Sequence, residues 1–293
     1  MKGFLGSKVL VVRGTELSVY SALEKTAKLW GLSLKSRNVV IKLNLCELRG
    51  PETGTTSDPA VVEEIVKFLI DHGSKVKLIE SNSSATDADL AFRYLGFKQL
   101  EKKYDVACIN LSTDDFITRA IDGYYLKNVK VSKTIDDADL FISHPKLKMH
   151  STVILTGALK NQFGCLRGAN KYIYHSKIHD VVADANIVFR PHFIIMDGIV
   201  AMVGYGPTNG IPHRFNMLAF SDDPVAIDCF GANFLGFNEK SIGYIVKAFK
   251  KGIGNMKYSA YGDYEKVDFS PCYSRFVFSS AKTLGSILSF GGK

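Results

Sequence analysis

The run Ser143-His144-Pro145-Lys146-Leu147-Lys148-Met149-His150 concentrates ammonium and imidazole groups, and Lys160-Asn161-Gln162-Phe163-Gly164-Cys165 begins ten residues after it. An extended chain sends successive side chains to opposite faces, so Lys146, Lys148 and His150 share one face. Two ammonium groups beside an imidazole suit an anionic ligand or, through His150, a metal. Lys148 and Lys160 also qualify as amine nucleophiles wherever desolvation lowers their pKa. A single lysine in such a loop is usually a solvated cation. Three basic groups on one face beside a second basic cluster shift the balance toward a site.

Other polar groups can be placed relative to this run. Lys42 and Asn44 lie at the end of an apolar stretch, just before Gly50-Pro51-Glu52-Thr53-Gly54-Thr55-Thr56-Ser57. A loop that feeds a helix N-terminus can present backbone N–H groups to phosphate or carboxylate. It lacks the Gly-Lys-Ser/Thr ending of a Walker A loop. Lys171, Tyr174, His175, Lys177, His179 and Asp180 form the second basic group. His175 and His179 are four apart, which on a helix puts both on one face and permits a shared divalent metal, although a plain polar face has the same pattern. Asp197 closes the apolar residues 193–196 and is either a turn former or a proton-transfer partner for His150. Asp223 reads as a helix cap. Asp228, inside Val225-Ala226-Ile227-Asp228-Cys229-Phe230, needs a partner if ionised, with the site lysines as candidates. The candidate assembly is therefore Lys42, Asn44, Lys146 and Asn161 for substrate, Lys148, His150, Lys160 and Asp197 for catalysis, and His175 with His179 for a metal.

The elements that must position these groups alternate. Residues 8–13, 38–45, 75–80, 105–111 and 138–143 read as strands, followed later by 192–196 and 216–220. Helical spacing covers 16–30, and Ser57-Asp58-Pro59 starts a second helix that ends near Gly73. A third helix spans 87–104 and contains Gly96. Residues 116–121 and 124–133 flank Asp122-Gly123 and read as a hairpin. Pro145 cannot donate to a ladder, so the chain leaves the sheet near His144 and sets the basic run outside a strand's carboxyl end, where open α/β sheets bind ligands. Repeated β-α-β order with short connections predicts an α/β fold, a mostly parallel, Rossmann-like layered sheet with an inserted β-hairpin. With no linker or low-complexity tract, residues 1–293 read as one elaborated domain. Residues 274–293 form an amphipathic tail that packs on that domain or attaches to a partner or membrane surface.

Several short blocks occur in one order across residues 39–237: Lys42-Leu43-Asn44-Leu45, Thr55-Thr56-Ser57-Asp58-Pro59, Glu80-Ser81, Pro145-Lys146-Leu147-Lys148-Met149-His150, Thr156-Gly157-Ala158-Leu159-Lys160-Asn161, Met196-Asp197-Gly198, Gly206-Pro207 and Ser221-Asp222-Asp223-Pro224-Val225-Ala226-Ile227-Asp228. In these blocks the chain resembles the DUF362 family, uncharacterised α/β proteins often fused to ferredoxin-like domains. The resemblance implies no particular reaction. It does suggest an electron-transfer partner, because the ferredoxin-like cysteine cluster of many members is missing here. The five cysteines are Cys46, Cys108, Cys165, Cys229 and Cys272, and the nearest two are 43 residues apart. No intrinsic iron–sulfur cluster is expected from such spacing. Cys108 and Cys229 read as small core residues, whereas Cys46 and Cys165 follow site motifs and can face the site. The Lys/His arrangement also bears a distant similarity to the lactate racemase family, with no motif that maps.

Composition bounds the rest. With 293 residues, 46% of them hydrophobic, the chain can bury one large or two modest cores. Scattered cysteines and the lack of a secretory signal pattern predict a cytoplasmic protein. No apolar run approaches the about 20 residues that span a bilayer. A net charge of +8 favours anionic partners. Without a zinc-finger, RRM, KH or helix-turn-helix signature, sequence-specific nucleic-acid binding has no support, and only non-specific attraction remains. Three functions stay open: an enzyme of undetermined reaction on a small anionic substrate, a non-catalytic anion- or cofactor-binding accessory protein working with a separate iron–sulfur or electron-transfer partner, or non-specific nucleic-acid binding through the net positive charge.

Overall fold

The computed structural model describes residues 7–32, 37–271 and 273. The first half runs β1 (Ser7–Arg13), α1 (Val19–Trp30), β2 (Asn38–Lys42), α2 (Pro59–Asp71), β3 (Lys75–Glu80), α3 (Ala88–Tyr94), α4 (Phe97–Tyr104) and β4 (Ala107–Asn110). A hairpin of β5 (Phe116–Ala120) and β6 (Asn128–Ser132), then the short α5 (Lys133–Asp136), lead to β7 (Leu140–Ser143), β8 (Lys146–His150) and β9 (Ile154–Thr156). Next come α6 (Ala158–Gln162), α7 (Ile178–Val188), β10 (Phe193–Val203), β11 (Ile211–His213), β12 (Met217–Ser221), α8 (Pro224–Phe234), α9 (Gly243–Lys250) and β13 (Tyr258–Gly262).

The fold is α/β with a mostly parallel sheet. Strands follow the order β13-β1-β12-β10-β7-β2-β3-β4, with β11 and β8 on β10 and β9 on β8. β7, β2, β3 and β4 run parallel, as do β10 and β7, whereas β12 is antiparallel to both neighbours. The hairpin forms its own two-stranded sheet. A parallel strand covered on both faces must be apolar throughout. β2 obeys this: Val39 and Ile41 enter the core beneath α1–α4, while Val40 enters the core beneath α6–α9.

Connectivity decides where a crevice opens. From β2 the chain moves outward through β3 and β4, then returns to add β7 on the other side of β2. Connections leaving in opposite directions part above the carboxyl ends of β2 and β7, and ligands bind at such switch points. Asp58 caps α2 by accepting from the Ala60 amide, with Pro59 in the first turn, so the β2–α2 loop is anchored over this crevice.

Four expectations need correction. The basic run does not leave the sheet at His144: Lys146–His150 forms β8, a buried strand paired with β10 and β9, because Pro145 interrupts the ladder only between β7 and β8. The helix over 87–104 is two helices broken at Gly96, whose φ of +90° favours glycine. The second hairpin strand starts at Asn128, because the Asp184 carboxylate takes the amides of Tyr124, Tyr125 and Leu126 out of the ladder. Nor does Asp197-Gly198 end a strand: β10 pairs with β12 through Gly198 and continues to Val203 because Ala201, Met202 and Val203 pair with β11. Residues 274–293, read as an amphipathic tail, lie outside the described residues. No helix among the described residues is long and apolar enough to cross a membrane.

Candidate functional site

β2 delivers Lys42 and Asn44 to the crevice. Lys42 is 1% exposed, so its ammonium requires local compensation. Its Nζ lies 2.6 Å from Glu80 Oε1 at the end of the adjacent β3 and donates to Leu43 O at 2.8 Å. Glu80 is held in turn by the amides of Leu45 and Ser81. Asn44 donates to Asn161 Oδ1 at 3.0 Å, and Asn161 donates to Ser143 Oγ at 3.1 Å and Lys42 O at 3.4 Å. An amide chain thus bridges the ends of β2 and β7 to α6.

Lys148, on β8, is equally committed. Its Nζ donates to Asn44 Oδ1 and Thr55 O, each at 2.7 Å, and approaches Cys46 Sγ at 3.4 Å. The 50–57 loop therefore turns a carbonyl toward the site at Thr55, not the amide groups expected of it. Thr55, Thr56 and Ser57 are fully buried, so this end of the loop is packed beneath Lys148 and does not itself line the cavity.

α6 carries Lys160 and Asn161. This single turn is held at its start by Asp228, whose carboxylate accepts from the amides of Ala158 at 2.6 Å and Leu159 at 3.0 Å. A Cβ on Gly157 would stand 2.2 Å from Asp228 Oδ1, so glycine permits the approach. Burial raises the Asp228 carboxyl to about 7 against the opposing pull of the two amides. The partner sought for Asp228 is thus backbone, not a site lysine.

Lys160 differs from the other basic groups. It is half-buried and, among the described residues, has no hydrogen-bond or ion-pair partner; its Nζ sits over the Phe163 ring, 5.3 Å from the centroid. Desolvation, then the nearby Lys148 charge, lower its pKa to about 8. Lys171 is also lowered to about 8, chiefly by burial, but it donates to Ser81 Oγ at 2.5 Å and Gly164 O at 2.9 Å. His150 Nδ1 accepts from the Thr152 amide at 3.1 Å, which assigns the proton of the neutral ring to Nε2. Burial, followed by the Lys160, Lys148 and His175 charges, depresses this imidazole to about 2. His150 is therefore a neutral hydrogen-bond donor at pH 7.

These groups surround a cavity of about 270 Å³ lined by Lys42, Asn44, Cys46, Glu80, Lys148, His150, Thr156, Lys160, Asn161, Lys171 and His175. Thr156 Oγ1 is buried there without a partner among the described residues. Lys42, Asn44, Lys148, His150, Lys160 and Asn161 are brought together, but Lys146 and Asp197 are not among the lining residues. They form their own buried pair, Nζ to Oδ2 2.7 Å, at 2% and 0% side-chain exposure. The ladder explains the separation: Lys146 faces Asp197 and Lys148 faces Met202, two residues along β8 against five along β10. Asp197 is consequently an ion-pair partner of Lys146 and not of His150.

His175 and His179 also separate. His175 stacks on Tyr172 at the cavity and donates from Nδ1 to Tyr172 O, whereas His179 accepts the Tyr244 amide and stacks on Tyr244. They lie in different helices, so their four-residue spacing does not make a shared ligand pair. Among the described residues no group of three or more His, Cys, Asp or Glu side chains is arranged to hold a metal. Cys46 lines the cavity, while Cys165 is buried, with its thiol pushed up to about 12 by desolvation. Sequence reasoning missed Glu80, Lys171 and Thr156 as site residues. A carboxylate ending a strand parallel to β2 was the available signal for Glu80; Thr156 carried none.

The chain belongs to the DUF362 family, a domain of unknown function, whose model matches residues 39–233. A thylakoid-associated protein of Synechocystis sp. is 27% identical over 197 residues, 65% of this chain; this chain spans only 60% of that relative's length. Among solved structures, the lactate racemase apoprotein from Thermoanaerobacterium thermosaccharolyticum aligns with 79% of this chain and 57% of its own, at 13% identity and a TM-score of 0.47.

Proposed function

We propose that the cavity binds a small organic anion and that the protein is an enzyme acting on it. The observation carrying this reading is charge imbalance: Lys42, Lys148, Lys160 and Lys171 line about 270 Å³, and Glu80 is the one carboxylate lining it among the described residues. In a confined, poorly hydrated space, unbalanced positive charge attracts an anion far more strongly than it would in water. Glu80 neutralises Lys42, and Lys148 is saturated by its acceptors, so these two fix the frame. Lys160, the His150 Nε2–H and the Thr156 hydroxyl remain to meet the ligand. The volume lies just below the roughly 300–1,000 Å³ of drug-sized sites, which favours a ligand of a few carbons carrying carboxylate or phosphate.

Isothermal titration calorimetry with pyruvate, glyoxylate and inorganic phosphate tests the binding step. Saturable binding of at least one of them at one site per chain is expected. Affinity should fall about tenfold or more in Lys160→Met, a loss of roughly 1.4 kcal/mol or greater, and stay unchanged in the surface variant Lys102→Met. Absence of saturable binding by the native chain, or equal binding by Lys160→Met, would refute the reading. Turnover of the bound anion separates an enzyme from a non-catalytic accessory protein.

A further inference from the structure

We infer that Lys160 forms a covalent imine with the carbonyl carbon of a small anionic aldehyde or ketone, 2-oxo acids being the simplest class; this rests on the anion-binding reading above. The geometry singles out one amine among four. Lys42 is occupied by Glu80 and Leu43 O, Lys148 by Asn44 and Thr55, and Lys171 by Ser81 and Gly164. Lys160 has only the Phe163 ring beside it among the described residues. A nucleophile needs its lone pair free and its position held. The Asp228–amide bonds at the start of α6 supply the second condition without touching the amine.

A separate observation points to a ligand oxygen. The Thr156 hydroxyl is 4% exposed, lacks a hydrogen-bond partner among the described residues and lines the same cavity. A buried hydroxyl without a partner is costly unless something fills its place. The oxygen of a carbonyl, or of the carbinolamine formed from it, would do so, and the His150 Nε2–H is a second donor in that space. Lys148 and Lys171, whose acceptors are all neutral, supply the field that favours a carboxylate next to the reacting carbon.

The step balances without an external oxidant or reductant. The neutral Nζ lone pair attacks the carbonyl carbon, a C–N bond forms, and the C=O π pair moves to oxygen. That oxygen takes a proton lost from nitrogen, giving a carbinolamine. The nitrogen lone pair then forms C=N as the C–O bond breaks, and the oxygen leaves as water after accepting a second proton. Counted from the ammonium, Lys–NH3+ and the carbonyl yield the protonated imine and one water. A pKa of about 8 supports this use of Lys160. At pH 8 about half of such an amine is neutral, against roughly 0.4% of an ordinary lysine with pKa ~10.4. Lys171 is lowered equally, so its hydrogen bonds, not its titration, set it apart.

Reductive trapping tests the inference. Full-length protein is incubated at pH 8 with pyruvate or glyoxylate and sodium cyanoborohydride, then followed by intact mass and peptide mapping. One adduct per chain is expected at Lys160, formed about tenfold or more faster than at exposed Lys102 and absent in Lys160→Arg. Labelling of Lys160 no faster than Lys102, or first labelling at Lys171, would overturn the imine. Calorimetry on the same probes separates the two readings. Saturable binding without trapping removes the imine and leaves the anion site, whereas neither binding nor trapping removes both.

Discussion

Lys148 and Lys160 are both basic residues of the candidate site, yet the structure assigns them very unequal effects on stability. Replacing Lys148 by Met keeps much of the apolar stem and removes the ammonium. Asn44 Oδ1 and Thr55 O, each 2.7 Å from that ammonium, then lose a buried donor. An orphaned buried acceptor costs about 1–3 kcal/mol, so two cost about 2–6 kcal/mol. Lys160→Met removes no hydrogen bond among the described residues and replaces an amine that is poorly solvated, so its stability should change by less than about 1 kcal/mol in either direction. Urea unfolding at pH 7, followed through the single tryptophan Trp30, reads both variants. At constant m-value, the midpoint should drop sharply for Lys148→Met and scarcely move for Lys160→Met. Equal losses in the two variants would make Lys160 a structural residue, and a neutral Lys148→Met would show that its three-sided coordination carries no stability. Either result would refute the division of labour drawn here.

Acid should destabilise the fold through His150. Its pKa is about 2 in the fold against an ordinary 6.5, so the unfolded chain binds the extra proton in that window and stability falls as pH drops below 6.5. The contribution is up to about 1.4 kcal/mol per pH unit, and His150→Gln should flatten the dependence of the urea midpoint between about pH 6.5 and 4.5; an unchanged slope would contradict the assigned neutral ring. Gly157→Ala should cost about 1–3 kcal/mol, because the new Cβ meets an Asp228 carboxylate already held by two amides. Calorimetry should also find weaker anion binding in that variant, and a neutral result on both counts would dissociate α6 from the site. Asp223→Ala should lose about 2 kcal/mol in thermal or urea unfolding, since Asp223 caps α8 through Val225 and Ala226 and also accepts from Ser7 Oγ and the Asn255 amide. Anaerobically purified protein should contain iron and sulfide well below one equivalent per chain; stoichiometric amounts that vanish in Cys46→Ser or Cys165→Ser would instead make electron transfer the leading function.

Much that was legible in the sequence was local. The apolar run of β2 and the Asp58-Pro59 start of α2 follow from backbone hydrogen bonding and capping, which neighbouring residues determine. Alternation of such units sufficed to expect a mostly parallel α/β sheet, and strand carboxyl ends in such a sheet are where Lys42 and Asn44 had to emerge. The tertiary structure decided which basic groups share a cavity. Lys146 and Lys148 have the same two-residue spacing as any pair on one strand face, but Lys146 meets a carboxylate 51 residues away, and the ladder slips before Lys148. His175 and His179 have helical spacing, yet one lies in a 3-10 helix, residues 171–177, and the other in α7. Asp228 reads locally as an unpaired charge in an apolar helix, and its partners are amides 69 and 70 residues away. Charge, size and period are properties of nearby sequence, whereas satisfaction of a buried polar group depends on which distant donor or acceptor packing brings within about 3 Å. That is why the sequence could nominate Lys160 only as one basic residue among several, and the fold left it as the cavity amine without a hydrogen-bond or ion-pair partner among the described residues.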